Sequence, residues 1–255
     1  MRGLVGTKFN DSLIGGLAEN DPYESFRGDG GDDLISGGSG YDRADYRSSP
    51  DSIVVDLAAG TVTSEGAGND TLRSIESIRG SLFNDAINAR NFVGGTLSTT
   101  SNVGSYWWGW NEINPEGGND TIEGNGATFL IYETSMVPVK VDLAAGSADA
   151  RIDADKTSLQ YLTMGRDVFS GVYGVRGSQY DDLLLGGGPG RATTGVTQSE
   201  WFGGGAGNDT IDGLAGWDAV NYWNSPGAIT VDLAAGTASD GWGSVDTLRN
   251  IEEIL

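Results

Sequence analysis

Eleven aspartates occupy equivalent positions in a recurring sequence pattern, and their carboxylates are the groups best placed to do chemistry. The pattern is Gly-Gly-x-Gly-x-Asp-x-apolar-x, and Gly28–Ser36 and Gly37–Asp45 fit it one after the other. Glycine permits positive φ angles and leaves backbone carbonyls uncovered, so the first six residues predict a turn. The last three predict a short strand with one inward apolar side chain. The sixth-position aspartates are Asp11, Asp33, Asp42, Asp70, Asp85, Asp120, Asp167, Asp182, Asp209, Asp218 and Asp246.

Repetition of this turn and strand predicts bound metal ions. Adjacent strands stack about 4.8 Å apart, so aspartates in neighbouring turns would converge and repel one another. Ca²⁺ relieves that repulsion, since it takes about six to eight oxygen ligands at roughly 2.3–2.6 Å, whereas Mg²⁺ demands a tighter octahedron and retains water. We therefore expect several Ca²⁺ ions, held by paired carboxylates and by oxygens of the turns.

Sequence separations predict which aspartates pair. Asp70 and Asp85 are 15 residues apart, as are Asp167 and Asp182. Asp11 and Asp33 are 22 apart, which is about one turn of a solenoid once a short insertion is removed. The expected rows of carboxylates are Asp11–Asp33, Asp70–Asp85–Asp120 and Asp167–Asp182–Asp209.

The middle copy of the pattern is degraded. Thr128 stands where Asp42 and Asp218 lie in the other copies, and Pro115-Glu116 replaces the first glycine pair. Asp167 also has a poor glycine context. We expect at least one metal site to be lost there.

A longer repeat positions these turns. Val-Asp-Leu-Ala-Ala-Gly begins at Val55, Val141 and Val231, at offsets of 86 and 90 residues. Self-similarity of this length is typical of a stacked repeat architecture. It predicts one elongated domain of three imperfect units, 1–78, 79–175 and 176–255.

Alternating apolar residues around the hexapeptide predict a half-buried strand. Its inward residues would be Ile53, Val55 and Leu57 and their equivalents Val139, Val141, Leu143, Ile229, Val231 and Leu233. The aspartates between them, Asp56, Asp142 and Asp232, are expected to cap the following turn. By the same alternation Glu76 and Glu252 are expected to be solvated.

Composition excludes several classes of function. Thirty-six acidic residues against 15 basic ones give a net charge of −21, which disfavours nucleic acid and anionic membrane surfaces as partners. With no cysteine and no histidine, disulfides, thiolate or imidazole metal sites and histidine-based triads are excluded. The 42 glycines cost conformational entropy on folding, so another source of stability is required. No apolar run reaches membrane-spanning length, and no signal-peptide pattern opens the sequence.

The nonapeptides resemble those of the repeats-in-toxin (RTX, haemolysin-type) calcium-binding proteins, most closely at Gly28–Asp45 and Gly204–Asp218. The longer unit is similar to divergent RTX arrays of bacterial exoproteins. This resemblance implies an all-β fold, a right-handed parallel β-roll or β-helix solenoid, with the sixth-position aspartates as calcium ligands. It implies further that oxygens of the turn residues complete the calcium shells, namely those of Gly28, Gly30, Gly37, Ser39, Gly204 and Ala206. It also implies type I secretion, a secreted or cell-surface location, and folding when Ca²⁺ is bound outside the cell.

Three variable insertions suggest an alternative function. They are Leu17–Ser25, Asn91–Asn114 and Gly188–Glu200, and the middle one carries Tyr106, Trp107, Trp108 and Trp110. Exposed aromatic clusters anchor glycans or protein partners, so a carbohydrate-binding or adhesive module is the second hypothesis. The competing interpretation is that this insertion covers the degraded middle copy.

Two further expectations concern partners and catalysis. The chain ends suggest either a piece of a longer array, beside neighbouring repeat modules, or head-to-tail stacking. An enzyme is not expected, because nearly every recurring aspartate has a calcium explanation and no unrepeated acid pair stands out.

Overall fold

The computed structural model describes residues 2–16, 23–94, 110–150, 164–187 and 199–255. The fold is all-β, and these ranges contain 23 strands. The chain divides into two compact units, Met1–Thr128 and Phe129–Leu255. Most strands have three to five residues and follow a glycine-rich turn, as the nonapeptide pattern predicts.

The first unit alternates between two rows of strands. It contains β1 Arg2–Val5, β2 Ser12–Ile14, β3 Tyr23–Arg27, β4 Leu34–Ser36, β5 Tyr41–Asp45, β6 Val54–Asp56, β7 Thr61–Ser64, β8 Gly68–Arg73, β9 Ser77–Arg79, β10 Ala86–Asn88, β11 Asn111–Asn114 and the start of β12 Thr121–Ile131. In one row β1, β3, β5, β9 and β11 pair in parallel. In the other, β2, β4 and β8 pair in parallel, as do β6, β10 and β12.

The second unit repeats this arrangement. It contains β13 Val139–Asp142, β14 Ser147–Ala150, β15 Arg166–Arg176, β16 Leu183–Leu185, β17 Trp201–Gly203, β18 Thr210–Asp212, β19 Ala219–Val220, β20 Thr230–Asp232, β21 Thr237–Ser239, β22 Val245–Arg249 and β23 Glu253–Ile254. One row runs in parallel through β15, β17, β19 and β23. The other runs in parallel through β13, β16, β18 and β22.

Antiparallel hairpins interrupt the parallel rows at each Val-Asp-Leu-Ala-Ala-Gly motif. In the first unit β6 pairs with β7 and β7 with β8, both antiparallel. The turn that joins β6 to β7 is closed by Asp56, whose Oδ1 accepts the N–H of Ala59 at 2.9 Å, and by Gly60 at φ 67°. Asp142 and Asp232 make the same bond to Ala145 and Ala235, so the expected turn caps are confirmed. The sequence predicted the strand but not its hairpin.

Burial of the motif's apolar residues depends on the neighbouring strand. Ile53, Val55 and Leu57 are buried, and so are their equivalents in β13 and the residues beside it. In the third copy Ile229 is 37% and Leu233 45% exposed, so the prediction of a buried face is wrong there. The reason is that β10 covers β6 and β16 covers β13, whereas β20 pairs with β21 alone among the described strands.

Candidate metal centre

Aspartates of successive turns are joined into ladders by hydrogen bonds from the backbone. In the first unit the N–H of Asp11 donates to Oδ1 of Asp33 at 2.8 Å, and the N–H of Asp33 donates to Oδ1 of Asp70 at 2.9 Å. Asp11 and Asp33 immediately precede β2 and β4, and Asp70 lies in β8, so the register of these paired strands aligns the three carboxylates. Asp11 is half-buried, while Asp33 and Asp70 are buried.

Two more ladders follow the same rule. The N–H of Ile53 donates to Asp85 at 2.9 Å, and that of Asp85 donates to Asp120 at 2.7 Å. In the second unit the N–H of Val139 donates to Oδ1 of Asp182 at 2.7 Å. The N–H of Asp182 then donates to Oδ1 of Asp209 at 2.8 Å, and that of Asp209 to Oδ1 of Asp246 at 3.0 Å.

The expected pairing of Asp70 with Asp85, and of Asp167 with Asp182, is wrong. Asp70 lies beside Asp33, because the hairpin strands β7 and β6 separate β8 from β10. Asp167 lies opposite Ala148 in the antiparallel pair of β14 and β15. The expected pairs Asp11–Asp33, Asp85–Asp120 and Asp182–Asp209 are confirmed.

Glutamates extend the ladders that contain Asp42 and Asp218. The N–H of Glu24 donates to Asp42 at 3.2 Å, and the N–H of Asp42 donates to Glu76 at 3.0 Å. Glu200, Asp218 and Glu252 repeat this series at 2.9 and 2.8 Å. Glu76 is buried rather than solvated, so that expectation is wrong. Sequence reasoning missed Glu24 and Glu200, although each lies 18 residues, or two nonapeptides, before its aspartate.

The first glycine of each turn makes room for an aspartate oxygen. A Cβ on Gly28 would collide with Oδ2 of Asp33, five residues later. The carbonyl oxygen of the next turn occupies the same space: a Cβ on Gly6 would lie 2.8 Å from Oδ2 of Asp11 and 2.6 Å from the oxygen of Gly28. The glycine–aspartate pairs with this geometry are Gly6–Asp11, Gly28–Asp33, Gly37–Asp42, Gly80–Asp85, Gly177–Asp182, Gly204–Asp209 and Gly213–Asp218.

This geometry fits a calcium ion. Carboxylate and carbonyl oxygens converge over a glycine that has no side chain, and such oxygens are the ligands Ca²⁺ prefers. Oδ2 of Asp33 and of Asp209 is buried and has no hydrogen-bond partner. Among the residues that the structure describes, no group of three or more acidic side chains is arranged to hold a metal ion by itself.

Burial makes the ladder carboxylates costly to ionise in the absence of a cation. Desolvation raises the pKa of Asp209 to about 9, and the neighbouring Asp182 and Asp246 carboxylates add to the increase. Desolvation also raises the pKa values of Asp33 and Asp218. A buried carboxylate beside other carboxylates favours either a bound proton or a nearby positive charge.

Three aspartates are bonded by tyrosines instead. The hydroxyl of Tyr46 donates to Oδ2 of Asp70, that of Tyr132 to Asp167, and that of Tyr222 to Asp246, each at 2.8 Å. Desolvation raises the pKa of Asp70 and that of Asp246 to about 6. The sequence contained the signal for these contacts, since a tyrosine precedes each hexapeptide motif.

The turn residues predicted as calcium ligands differ in their backbone contacts and exposure. The backbone N–H groups of Gly30 and Gly37 donate to the carbonyls of Thr7 and Arg73, at 3.0 Å each, and that of Ser39 to Gly16 at 3.4 Å. Ala206 lies in the half-exposed turn after Gly204. Gly204 places its carbonyl oxygen against Gly177, where a Cβ would lie 2.7 Å away.

The middle copy and its aromatic insertion are described in part. Thr128 is buried, and its hydroxyl accepts the N–H of Asn125 at 3.1 Å, so this turn has no carboxylate at the sixth position. Trp110 is half-buried, while Tyr106, Trp107 and Trp108 lie outside the described residues. The glycan-binding hypothesis for this insertion therefore stays a prediction.

Comparison with protein families confirms the resemblance inferred from the nonapeptides. The RTX calcium-binding nonapeptide repeat matches in four copies, at residues 25–44 and 194–224. These segments contain Asp33, Asp42, Asp209 and Asp218, four of the aspartates whose Oδ2 lies over a glycine. No curated protein matches the chain.

None of the described residues forms a helix with the length and apolar character needed to span a bilayer.

Proposed function

We propose that this chain is a calcium-binding structural module of an exported bacterial protein, a right-handed parallel β-roll that folds when it binds Ca²⁺ outside the cell. The match to RTX calcium-binding nonapeptide repeats supports calcium binding by a structural domain. The observation that carries the proposal is the buried, unpartnered Oδ2 of Asp33 and of Asp209, beside the glycine of the same turn. Unpartnered buried carboxylate oxygens are costly, and a cation removes that cost.

The residues proposed to hold the ions form two kinds of ladder. Asp33 and Asp209 lie in the all-aspartate ladders, and Asp42 and Asp218 lie between glutamates. Backbone oxygens of Gly28, Gly37 and Gly204 would complete the shells. When bound, Ca²⁺ supplies positive charge and coordination for oxygens that the fold leaves without hydrogen bonds. No catalytic role is assigned to any of these groups.

A net charge of −21 supports a switch between unfolded and folded states. Like charges oppose compaction when calcium is scarce. Extracellular calcium modules bind with a Kd of about 10⁻⁴–10⁻³ M, so folding would occur outside the cell and not in the cytosol. The three units 1–78, 79–175 and 176–255 are proposed to fold as one repeat array.

Circular dichroism during a calcium titration tests this function. We expect a β-sheet spectrum in Ca²⁺, its loss in excess EGTA, and little recovery with Mg²⁺ at the same concentration. An Asp33→Asn, Asp209→Asn double variant should require several-fold more Ca²⁺ to fold, because asparagine keeps the shape and the Oδ1 acceptor but replaces Oδ2. A folded spectrum that persists unchanged in excess EGTA would overturn the proposal.

A further inference from the structure

We propose that Asp70, Asp167 and Asp246 bind no calcium, because a tyrosine hydroxyl occupies the carboxylate oxygen that would otherwise face an ion, and that Asp70 and Asp246 terminate their ladders for this reason. This inference rests on the proposed function and narrows its ligand set. The nonapeptide pattern alone predicts all three as ligands, so the sequence and the geometry disagree at these positions.

The comparison within one ladder carries the argument. Asp33 and Asp70 both accept a backbone N–H on Oδ1, at 2.8 and 2.9 Å. Oδ2 of Asp33 has no hydrogen-bond partner, whereas Oδ2 of Asp70 accepts the hydroxyl of Tyr46 at 2.8 Å. Both carboxylate oxygens of Asp70 therefore accept hydrogen bonds from within the protein.

The second unit shows the same contrast. Oδ2 of Asp209 is buried without a partner, and Oδ2 of Asp246 accepts the hydroxyl of Tyr222 at 2.8 Å. Tyr132 and Asp167 give the bond a third time. Because the bond has the same length in all three copies, it is a regular feature of the repeat unit.

The glycine space also differs. The residue five positions before Asp70 is Glu65, which is not a glycine. The residue five positions before Asp246 is Gly241, where the atoms nearest to an added Cβ would be Ser225 Oγ and Gly227 O. At Gly28 and Gly204 the nearest atom is instead Oδ2 of the aspartate five residues later.

The tyrosines are positioned by a local turn. Ser49 donates its N–H to the carbonyl of Tyr46 at 2.8 Å, and Ser225 does the same to Tyr222 at 2.9 Å. The N–H of Tyr46 also donates to Arg79 across the row, at 2.9 Å. Because the N–H and the carbonyl of Tyr46 are both hydrogen-bonded, the hydroxyl of this tyrosine is held where it can bond the last carboxylate of the ladder. The hairpin strand then follows in place of another calcium turn.

Matched asparagine substitutions test the inference. Calcium bound per folded chain would be counted by equilibrium dialysis for Asp33→Asn, Asp209→Asn, Asp70→Asn and Asp246→Asn, with folding in saturating Ca²⁺ checked by circular dichroism. We expect Asp33→Asn and Asp209→Asn each to lose at least one ion. Asp70→Asn and Asp246→Asn should keep the wild-type count, since asparagine can still bond both neighbours.

Tyrosine variants provide the second measurement. Tyr46→Phe and Tyr222→Phe remove the hydroxyl alone, so they should keep or exceed the wild-type ion count and lower the thermal midpoint in Ca²⁺ by roughly 3–10 °C. A count that falls in Asp70→Asn and Asp246→Asn as far as in Asp33→Asn and Asp209→Asn would overturn the inference. So would a lower count in the phenylalanine variants. If the unmodified chain bound no calcium, the proposed function would fail instead, which is a separate result.

Discussion

The glycine that opens each turn is constrained by space more than by its backbone angle. A Cβ on Gly28 would collide with Asp33 Oδ2, and no positive φ is required at this position. Gly30, two residues later, has room: a Cβ there would lie 3.6 Å from its nearest neighbour, the oxygen of Gly66. Of these two glycines in one nonapeptide, only Gly28 lies where a side chain would not fit.

Gly28→Ala should be far more harmful than Gly30→Ala. The added methyl would take the space of Asp33 Oδ2 and displace that carboxylate, and overpacking of this kind costs about 1–3 kcal/mol. We expect Gly28→Ala to lower the free energy of unfolding in saturating Ca²⁺ by that amount and to weaken calcium binding. Gly30→Ala serves as the control and should change both by little. Equal losses in urea denaturation would contradict this explanation.

The sequence predicted the carboxylates of the site better than their partners. The sixth-position aspartates were evident because turn chemistry and the repeat mark them. The partner of Asp70 was not, because a separation of 15 residues along the chain says nothing about a hairpin that lies between two strands. Glu24 and Glu200 were missed because they stand outside the glycine pattern, and the ladder reaches them only through the sheet register.

At the scale of elements, each hexapeptide strand pairs on one edge with an antiparallel hairpin strand and not with a parallel strand of the solenoid. In the first two copies the hexapeptide strand is then covered on its other edge by β10 or β16. In the third copy this edge of β20 pairs with no described strand. Equivalent residues therefore contribute unequally to stability.

Leu57→Ala and Leu233→Ala test this inequality. Leu57 is 4% exposed and Leu233 45%, although both follow the same Val-Asp dipeptide. Truncation of a buried leucine costs about 2–5 kcal/mol, while an exposed position costs about 0.5 kcal/mol. We expect chemical denaturation in Ca²⁺ to show a large loss for Leu57→Ala and a small one for Leu233→Ala, with Leu143→Ala as a second buried control. Similar losses at Leu57 and Leu233 would mean that β20 is covered in solution.

The all-β fold with short strands after glycine turns was predictable, and the hairpins were not. Alternation of apolar residues has a period of two in parallel and antiparallel strands alike, so Val55 and Leu57 reveal burial but not strand direction. The exposure of Ile229 could not be predicted either, because it depends on the neighbouring strand and not on its own segment.

At the scale of the whole molecule, buried acids link folding to pH. Desolvation raises the pKa of Asp209 to about 9 and the pKa values of Asp70 and Asp246 to about 6 in the metal-free fold. Unfolded aspartates titrate near 4. The unfolded chain therefore loses these protons first as the pH rises, and the folded state loses stability over the same interval.

The calcium-free protein should be most stable near pH 4 and should lose stability as the pH rises through about 6 and then about 9. Calcium should reverse this trend, because its ligands must be deprotonated and acid expels it. Circular dichroism in calcium-depleted buffer and thermal unfolding in calcium-saturated buffer, each at several pH values, measure the two trends. A metal-free β-sheet signal that rises from pH 4 to pH 8 would contradict the prediction.

The ladders have one further consequence, which follows from their regular spacing. When its acids are ionised, each ladder carries about one negative charge per 4.8 Å, the distance between strands. In water, two unit charges repel with the thermal energy at about 7 Å, and physiological salt screens charges only beyond about 8 Å. Each ladder is therefore a short polyelectrolyte, and dissolved salt does not screen the repulsion between its neighbouring charges. Its charge has to be cancelled within the ladder itself, by protons or by cations lodged among the oxygens.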